Sequence, residues 1–478
     1  MDPSNIQKVF EAQRQNRWHI AQSTAEQRIT KLKRLRDALL ARGHEIVAAM
    51  QKDFGKCQAE VAISEIAPVT EEIAFVCARL KRWMKPRRVA AHFFTLGSRS
   101  EVRYEAKGQV LILAPWNYPV NLFLLPLVGA IAAGNVVMMS ASDRTPHTEA
   151  VLKQLINETF PSNEVAAFTG GVPAAEALME CPFDHVFFTG SPAVGKKVMA
   201  KAAQHLATVT LELGGKSPAV LDASCDLPKA ALAIAFGKFL NAGQTCISPD
   251  HVWVPRSMLE EFISAISARI REFYGELPEE RLTSPDLARV VDARGWQRMK
   301  HLLDTSIAAG AHAVIGGETD EASRYVAPTV LSGVTTSMPI MQEEIFGPLL
   351  PVLAYDSLDE VLAFIQSGGK PLALYAFGQD EAFIQRMLGE TSAGGTVINN
   401  TLLHIVNSHL PFGGAGQSGQ GSYHGHHSFL TFSHERAVVH QGGFIASLVP
   451  LPHPPYSKMK AIEKMVLKQK TGLGPGGK

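Results

Sequence analysis

Residues 109–140 read QVLILAPWNYPVNLFLLPLVGAIAAGNVVMMS. No charged residue occurs between Lys107 and Asp143, and an apolar run of this length invites a reading as a bilayer span. Its punctuation argues otherwise. Pro115, Pro119, Pro126, Gly129, Gly134, Asn121 and Asn135 interrupt it. Strand, loop, helix and strand at the buried centre of an α/β sheet explain the same residues, because parallel strands covered on both faces read as near-continuous apolar runs. The stretch therefore predicts a βαβ unit and no spanning segment.

The pattern on either side agrees. Upstream, AEQRITKLKRLRDALLARGHEIVAAMQKDF places Ile29, Leu32, Leu35, Leu39 and Leu40 at helical spacing, and the first ninety residues read as helical. RVAAHFFTLGSRSEVRYEAKG breaks that pattern with a β-like stretch. Downstream, short apolar runs such as HVFFTGS and ATVTLELGG alternate with helical ones such as TEAVLKQLINETF. That alternation predicts parallel βαβ units. A second α/β section runs from about Lys229 to Val397, and the chain from Pro411 onward is rich in Gly, His and Pro.

At 478 residues the chain exceeds a single hydrophobic core, so two or more domains are expected. A net charge of +1 leaves no field to favour nucleic acid or an anionic membrane surface. Cys57, Cys77, Cys181, Cys225 and Cys246 form no CxxC pair, and an odd number suits a reducing compartment. The start, MDPSNIQKVFEAQRQNRW, shows no basic segment followed by an apolar one, so no secretory signal and a cytoplasmic location are expected.

Several short segments carry chemistry. NAGQTC sets Cys246 behind small and polar residues, where a purely structural thiol is out of place. A reactive thiol needs access and a setting that favours its thiolate. HVFFTGSPAVGKK is a strand, a glycine turn and a helix start, which suits a phosphate but reads equally as a plain tight turn, since Gly190 and Gly195 depart from G-x-G-x-x-G. VTLELGGKSP ends a strand on Glu212, either a general base of raised pKa or an ion-paired glutamate. LAPWNYPVN holds Asn117 in a rigid turn, as an oxyanion donor or as the residue that keeps its own turn. MQEEIFGPLLPV carries Glu343, Glu344 and Phe346, open to readings as site, surface or core.

Together these segments resemble the aldehyde dehydrogenase superfamily over nearly the whole chain. APWNYP and the tail GSYHGHHSFLTFSHERA are most similar to its class 3, fatty- and aromatic-aldehyde branch. The resemblance implies an α/β fold with a Rossmann-type cofactor domain (1–88 and 106–211) and an α/β catalytic domain (212–410). It also implies a small β oligomerisation arm (89–105 and 425–440) and a C-terminal tail (441–478), in a homodimer. The implied reaction oxidises an aldehyde to an acid with NAD or NADP. Cys246 would be the nucleophile, Asn117 an oxyanion donor and Glu212 the base that activates water. Trp116, Ser140, Asp143, Gly190, Ser191, Gly195, Leu213, Gly214, Glu344 and Phe346 would meet the cofactor. Residues 140–143, SASD, depart from the family's Lys-Pro-Ser-Glu. Ser140 and Asp143 thus replace a lysine and a glutamate that face the adenosine ribose, and NAD is expected over NADP. The alternatives are a coenzyme A-acylating dehydrogenase, which would not need Glu212, and a catalytically silent binding protein on the same fold.

Two other segments invite readings that fail on spacing. YHGHHSF, with His424, His426 and His427, has no companion ligand at a recognisable metal spacing, so no metal is expected. PFGGAGQSGQGS lacks the Lys-Ser/Thr ending of a phosphate loop, and the resemblance makes it a turn segment near the active site. The basic segment PPYSKMKAIEKMVLKQK is expected to be a solvated, partly amphipathic helix.

Overall fold

The computed structural model describes residues 3–90, 92, 95, 97–442, 454–456, 460, 463, 464 and 467. The basic C-terminal segment lies largely outside the described residues. The uncharged stretch folds as strand Gln109–Leu113, helix Asn121–Ala133 and strand Val136–Ser140. Every residue of that helix is buried, which is why its sequence imitated a membrane span. Gly134 stops it in the left-handed conformation at φ 88°. No helix among the described residues is long and apolar enough to cross a membrane.

Strands β1 (Arg87–Val89) and β2 (Arg99–Ala106) precede β3 (Gln109–Leu113), β4 (Val136–Ser140), β5 (Val165–Phe168), β6 (His185–Thr189) and β7 (Thr208–Glu212). Then come β8 (Pro218–Leu221), β9 (His251–Pro255), β10 (His312–Ile315), β11 (Thr319–Asp320), β12 (Tyr325–Val326) and β13 (Thr329–Ser332). The last are β14 (Leu349–Tyr355), β15 (Ala373–Phe377), β16 (Gly395–Ile398), β17 (Gly419–Gln420) and β18 (Ser433–His440).

One sheet runs in the order β17-β7-β6-β3-β4-β5 and is parallel from β7 to β5. The chain leaves β3 for β4 on one side and returns for β6 on the other. That reversal opens a crevice at the carboxyl ends of β3 and β6, where ligands of open α/β sheets bind. The second sheet runs β10-β13-β14-β9-β8-β15-β16, parallel except at β10. Strands β3, β4 and β6 are buried throughout, as their unbroken apolar runs require.

The larger compact unit comprises residues 1–84 and 105–434 and holds both parallel sheets. The smaller unit comprises residues 85–104 and 435–478. It carries β1 antiparallel to β2, with Arg87 opposite Val102, and an ion pair of Arg103 with Glu101 at 2.8 Å. Residues 425–434, expected in the arm, fall in the larger unit. There Gly425 N–H donates to Glu72 at 2.6 Å and Phe429 lies 6.0 Å from Trp83, so the helix Gly425–Thr431 is packed against the N-terminal helices.

Candidate active site

The segments singled out in the sequence follow the carboxyl ends of strands that lie side by side. Pro115–Asn117 comes after β3, Gly190 and Ser191 after β6, and Glu212 closes β7. A cleft of about 390 Å³ forms there. Its walls include Trp116, Asn117, Gly190, Ser191, Glu212, Leu213, Gly214, Cys246, Glu344 and Phe346.

Cys246 enters from the loop after the helix Leu227–Phe239. Three consecutive left-handed residues turn that loop, Asn241 (φ 54°), Ala242 (φ 52°) and Gly243 (φ 73°). Only glycine fits the third position, since a Cβ on Gly243 would lie 2.3 Å from the Gly347 carbonyl oxygen. The turn is held by Asn241, whose Nδ2 donates to the Asn117 carbonyl at 2.8 Å and to the Gln244 carbonyl at 3.2 Å. Asn117 Nδ2 donates to the same Gln244 carbonyl at 3.0 Å. Gln244 is itself locked by bonds from its Nε2 to Arg289 O and from Val291 N–H to its Oε1.

Burial pushes the Cys246 thiol up to about 12, and Glu344 and Glu212 add to the shift. The backbone N–H groups of Cys246 and Ile247 oppose it. Neither carboxylate supports a thiolate. To react, the Cys246 thiol must hand over its proton.

Glu212 is 2% exposed, and among the described residues neither of its carboxylate oxygens has a hydrogen-bond partner. Burial raises its pKa well above the usual carboxylate value. The glycine run after Pro411 approaches it closely, as a Cβ on Gly413 would stand 3.1 Å from Glu212 Oε1.

Glu344 lies against Gly214, where a Cβ would fall 2.1 Å from its Oε2. Burial and the nearby Asp250 push its pKa up to about 8. Its loop is pinned from below. Lys216 Nζ bonds Asp250 at 2.5 Å and the carbonyls of Ile340 and Glu343, and Asp250 accepts from Ile345 N–H at 2.8 Å. Arg298 donates to the carbonyls of Glu344 and Ile345. Phe346 meets Trp116 edge-on at 5.5 Å.

Three of the expected residues stand outside the cleft walls. Gly195 lies in the helix Pro192–Ala203, where its missing side chain admits Leu213, 2.8 Å from a Cβ placed there. Ser140 is buried, and among the described residues its hydroxyl reaches only the neighbouring Ala141 carbonyl at 3.4 Å. The Asp143 carboxylate packs on Gly171, in the space a Cβ would take.

Other cleft residues were not legible. Arg144 lies with its guanidinium 4.3 Å over Trp116 and bonds Asp292 at 2.6 Å. Asp250 and Arg298 act from outside the quoted motifs, and Lys216 sits inside VTLELGGKSP without having been singled out. The Asn-x-Gly spacing of Asn241 and Gly243 was the one available signal.

The remaining cysteines lie elsewhere. Cys181 is buried in the core beside Phe183 and Leu178, and Cys225 is flanked by Asp222 and Asp226. Of the tail histidines, His424 is buried, and His426 lies 5.0 Å from the Trp83 ring. Among the described residues no group of three or more His, Cys, Asp or Glu is placed to hold a metal ion.

Residues 1–438 match the model of the aldehyde dehydrogenase family. The chain is 44% identical over 432 residues to the 4,4'-diaponeurosporen-aldehyde dehydrogenase of Staphylococcus aureus, covering 90% of this chain and 93% of that protein. It is 43% identical to aldehyde dehydrogenase family 3 member B1 of Homo sapiens over 86% of both chains. The fold superimposes on the substrate-bound state of Staphylococcus aureus AldH with a TM-score of 0.91, at 41% identity over 96% of this chain and 99% of that one.

Proposed function

The chain belongs to the aldehyde dehydrogenase family, and from that premise we propose that Cys246, Glu212 and Asn117 carry its oxidation of aldehydes to acids. One observation supports this above the others: three groups, one ending β7 and two in distant loops, converge on one cleft whose base has no hydrogen-bond partner among the described residues.

Cys246 Sγ attacks the aldehyde carbon, and Glu212 takes the thiol proton. The developing oxyanion meets Asn117 Nδ2 and the Cys246 backbone N–H. Bound NAD(P)⁺ supplies the acceptor for the hydride that leaves the thiohemiacetal carbon. Glu212 releases that proton to solvent, and its carboxylate then deprotonates the water that hydrolyses the thioester; as the acid departs the sulfur takes the proton from Glu212, which restores the Cys246 thiol. The orphaned oxygens of Glu212 favour hydrolysis over transfer to coenzyme A.

The cleft fits the cofactor. The helix at Ser191 presents its N-terminus to a phosphate. Glu344, beside Gly214, reaches a ribose hydroxyl, and Trp116, Leu213 and Phe346 supply apolar walls. NAD is preferred over NADP. Ser140 offers no cation, and Asp143 and Glu149 make the end of β4 acidic, which disfavours a 2′-phosphate. On this reading the first sheet is the cofactor half and the second the catalytic half. The smaller unit serves a cytoplasmic homodimer, and the five free cysteines suit that compartment. The substrates are medium- to long-chain aliphatic or aromatic aldehydes.

Reduced-nicotinamide formation from an aldehyde panel, with NAD⁺ and NADP⁺ separately, tests the reading on wild type and Cys246→Ala. Turnover that vanishes in the variant is expected. Turnover that survives removes Cys246 from the reaction.

A further inference from the structure

The loops carrying Asn117 and Cys246 rest on a buried cluster of charges outside the cleft. Lys56 follows the left-handed Gly55 that ends the helix Gly43–Phe54, and its side chain is fully buried. Its Nζ lies 2.8 Å from Glu65 Oε1, 3.9 Å from Glu60 Oε1 and 4.2 Å from the centre of the Tyr118 ring. Glu65 occupies a π-helical turn, Ala62–Ile66, set between the helices Gln58–Val61 and Ala67–Trp83. Such turns insert one residue into the helical repeat and are frequent at functional sites.

Each member of the cluster holds one piece of the site. Glu65 Oε2 accepts from Val120 N–H at 3.1 Å and Asn121 N–H at 3.0 Å, just behind the turn that carries Asn117. Asn121 Nδ2 returns a bond to Ser64 O at 3.0 Å. The Glu60 carboxylate faces the backbone N–H of Asn241, at the head of the turn that leads to Cys246. Tyr118, whose ring covers the ammonium, bonds Thr245 Oγ1 at 2.6 Å through its hydroxyl. Stability alone explains such a cluster poorly, because apolar replacements of buried ion clusters are often as stable.

We propose that Lys56, with Glu65 and Glu60, is a positioning element that sets the Asn117 amide against the Cys246 sulfur. The ammonium is the shared anchor of both loops, and a misplacement on the ångström scale at the reacting atoms is enough to cost a large part of the rate. The inference rests on the roles proposed above for Asn117 and Cys246.

The test compares Glu65→Gln in the wild-type and Asn117→Ala backgrounds, with the double variant Lys56→Met/Glu65→Gln, which leaves no buried charge unpaired at that pair. If Glu65→Gln does not fold, the double variant takes its place in both backgrounds. We expect kcat to fall by about tenfold or more in the wild-type background. The NAD⁺ Kd from titration calorimetry stays within about twofold, and in Asn117→Ala the further loss of kcat is under about twofold, because both changes act through one group. A kcat per folded enzyme that is unchanged while Tm falls makes the cluster structural and overturns the proposal. So does a loss that multiplies with that of Asn117→Ala. Turnover that persists in Cys246→Ala marks failure of the underlying reading instead.

Discussion

Asn117 and Gln244 are joined by a single hydrogen bond, from the amide Nδ2 of one to the backbone carbonyl of the other, at 3.0 Å. A side-chain amide has two N–H donors. The bond to Gln244 orients the group and consumes one donor, which leaves the second for an oxyanion formed at the neighbouring Cys246. Asn117→Ala should therefore lower kcat by about 10²–10³ with little change in cofactor Kd. Steady-state kinetics with an aldehyde at saturating NAD⁺ checks this. A loss below about tenfold would assign the oxyanion to backbone donors alone.

Glu212 makes the rate depend on pH with a definite sign. Burial raises its pKa, so its base form is depleted at low pH and recovers as pH rises. The profile of kcat/KM should show an acid limb that lies above the usual glutamate range. Glu212→Gln should slow both halves of the reaction, so that the burst of reduced nicotinamide and the steady turnover both fall. Retention of the same limb in the variant would assign it to another group.

Gly214 is where a side chain cannot be added without moving Glu344. A Cβ there would stand 2.1 Å from Glu344 Oε2, inside van der Waals contact. Gly214→Ala should displace the carboxylate and weaken NAD⁺ binding by about tenfold, near 1.4 kcal/mol, with Cys246 still open to alkylation. Calorimetric titration of NAD⁺ gives the answer, and an unchanged Kd would separate Glu344 from the cofactor.

Stability should fall on acidification because of two buried imidazoles. Burial lowers His424 to about 3 and His404 to about 4. Their ordinary value is about 6.5, so between that pH and the lowered values the unfolded chain binds more protons than the native one. The stabilising contribution is complete above pH ~6.5 and is lost as pH falls, on the order of a few kcal/mol for the pair. Glu72 has the opposite sign: burial raises it to about 7, so its contribution is lost as pH rises from ~4.5 toward that value. Tm measured from pH 4 to 8 in wild type and His424→Gln should give a shallower acid slope in the variant; equal slopes would exclude His424 as a source.

Much of the site was legible because its motifs join a chemical group to a turn. Glu212 and Asn117 follow apolar strands, and Cys246 follows an Asn-x-Gly turn, so local pattern and chemistry appear in the same few residues. Gly195 shows what the motif leaves open. Its glycine serves helix–sheet packing on Leu213, and a motif alone does not separate that need from closeness to a ligand. SASD was legible as a departure, but its neighbour Arg144, which does line the cleft, carries no turn or periodic signal.

The sequence by itself determined the alternation of strands and helices, the punctuation that rules out a membrane span, and the identity of the groups able to do the chemistry. These depend on residues close along the chain, through backbone preferences and hydrophobic periodicity. Only the tertiary structure decided which groups meet. Glu65 reaches Val120 across 55 residues and Asn117 reaches Gln244 across 127. It also decided that burial raises both Cys246 and Glu212 and that, among the described residues, Glu212 has no hydrogen-bond partner. Protonation follows burial and neighbouring charge, which are properties of the packed chain as a whole.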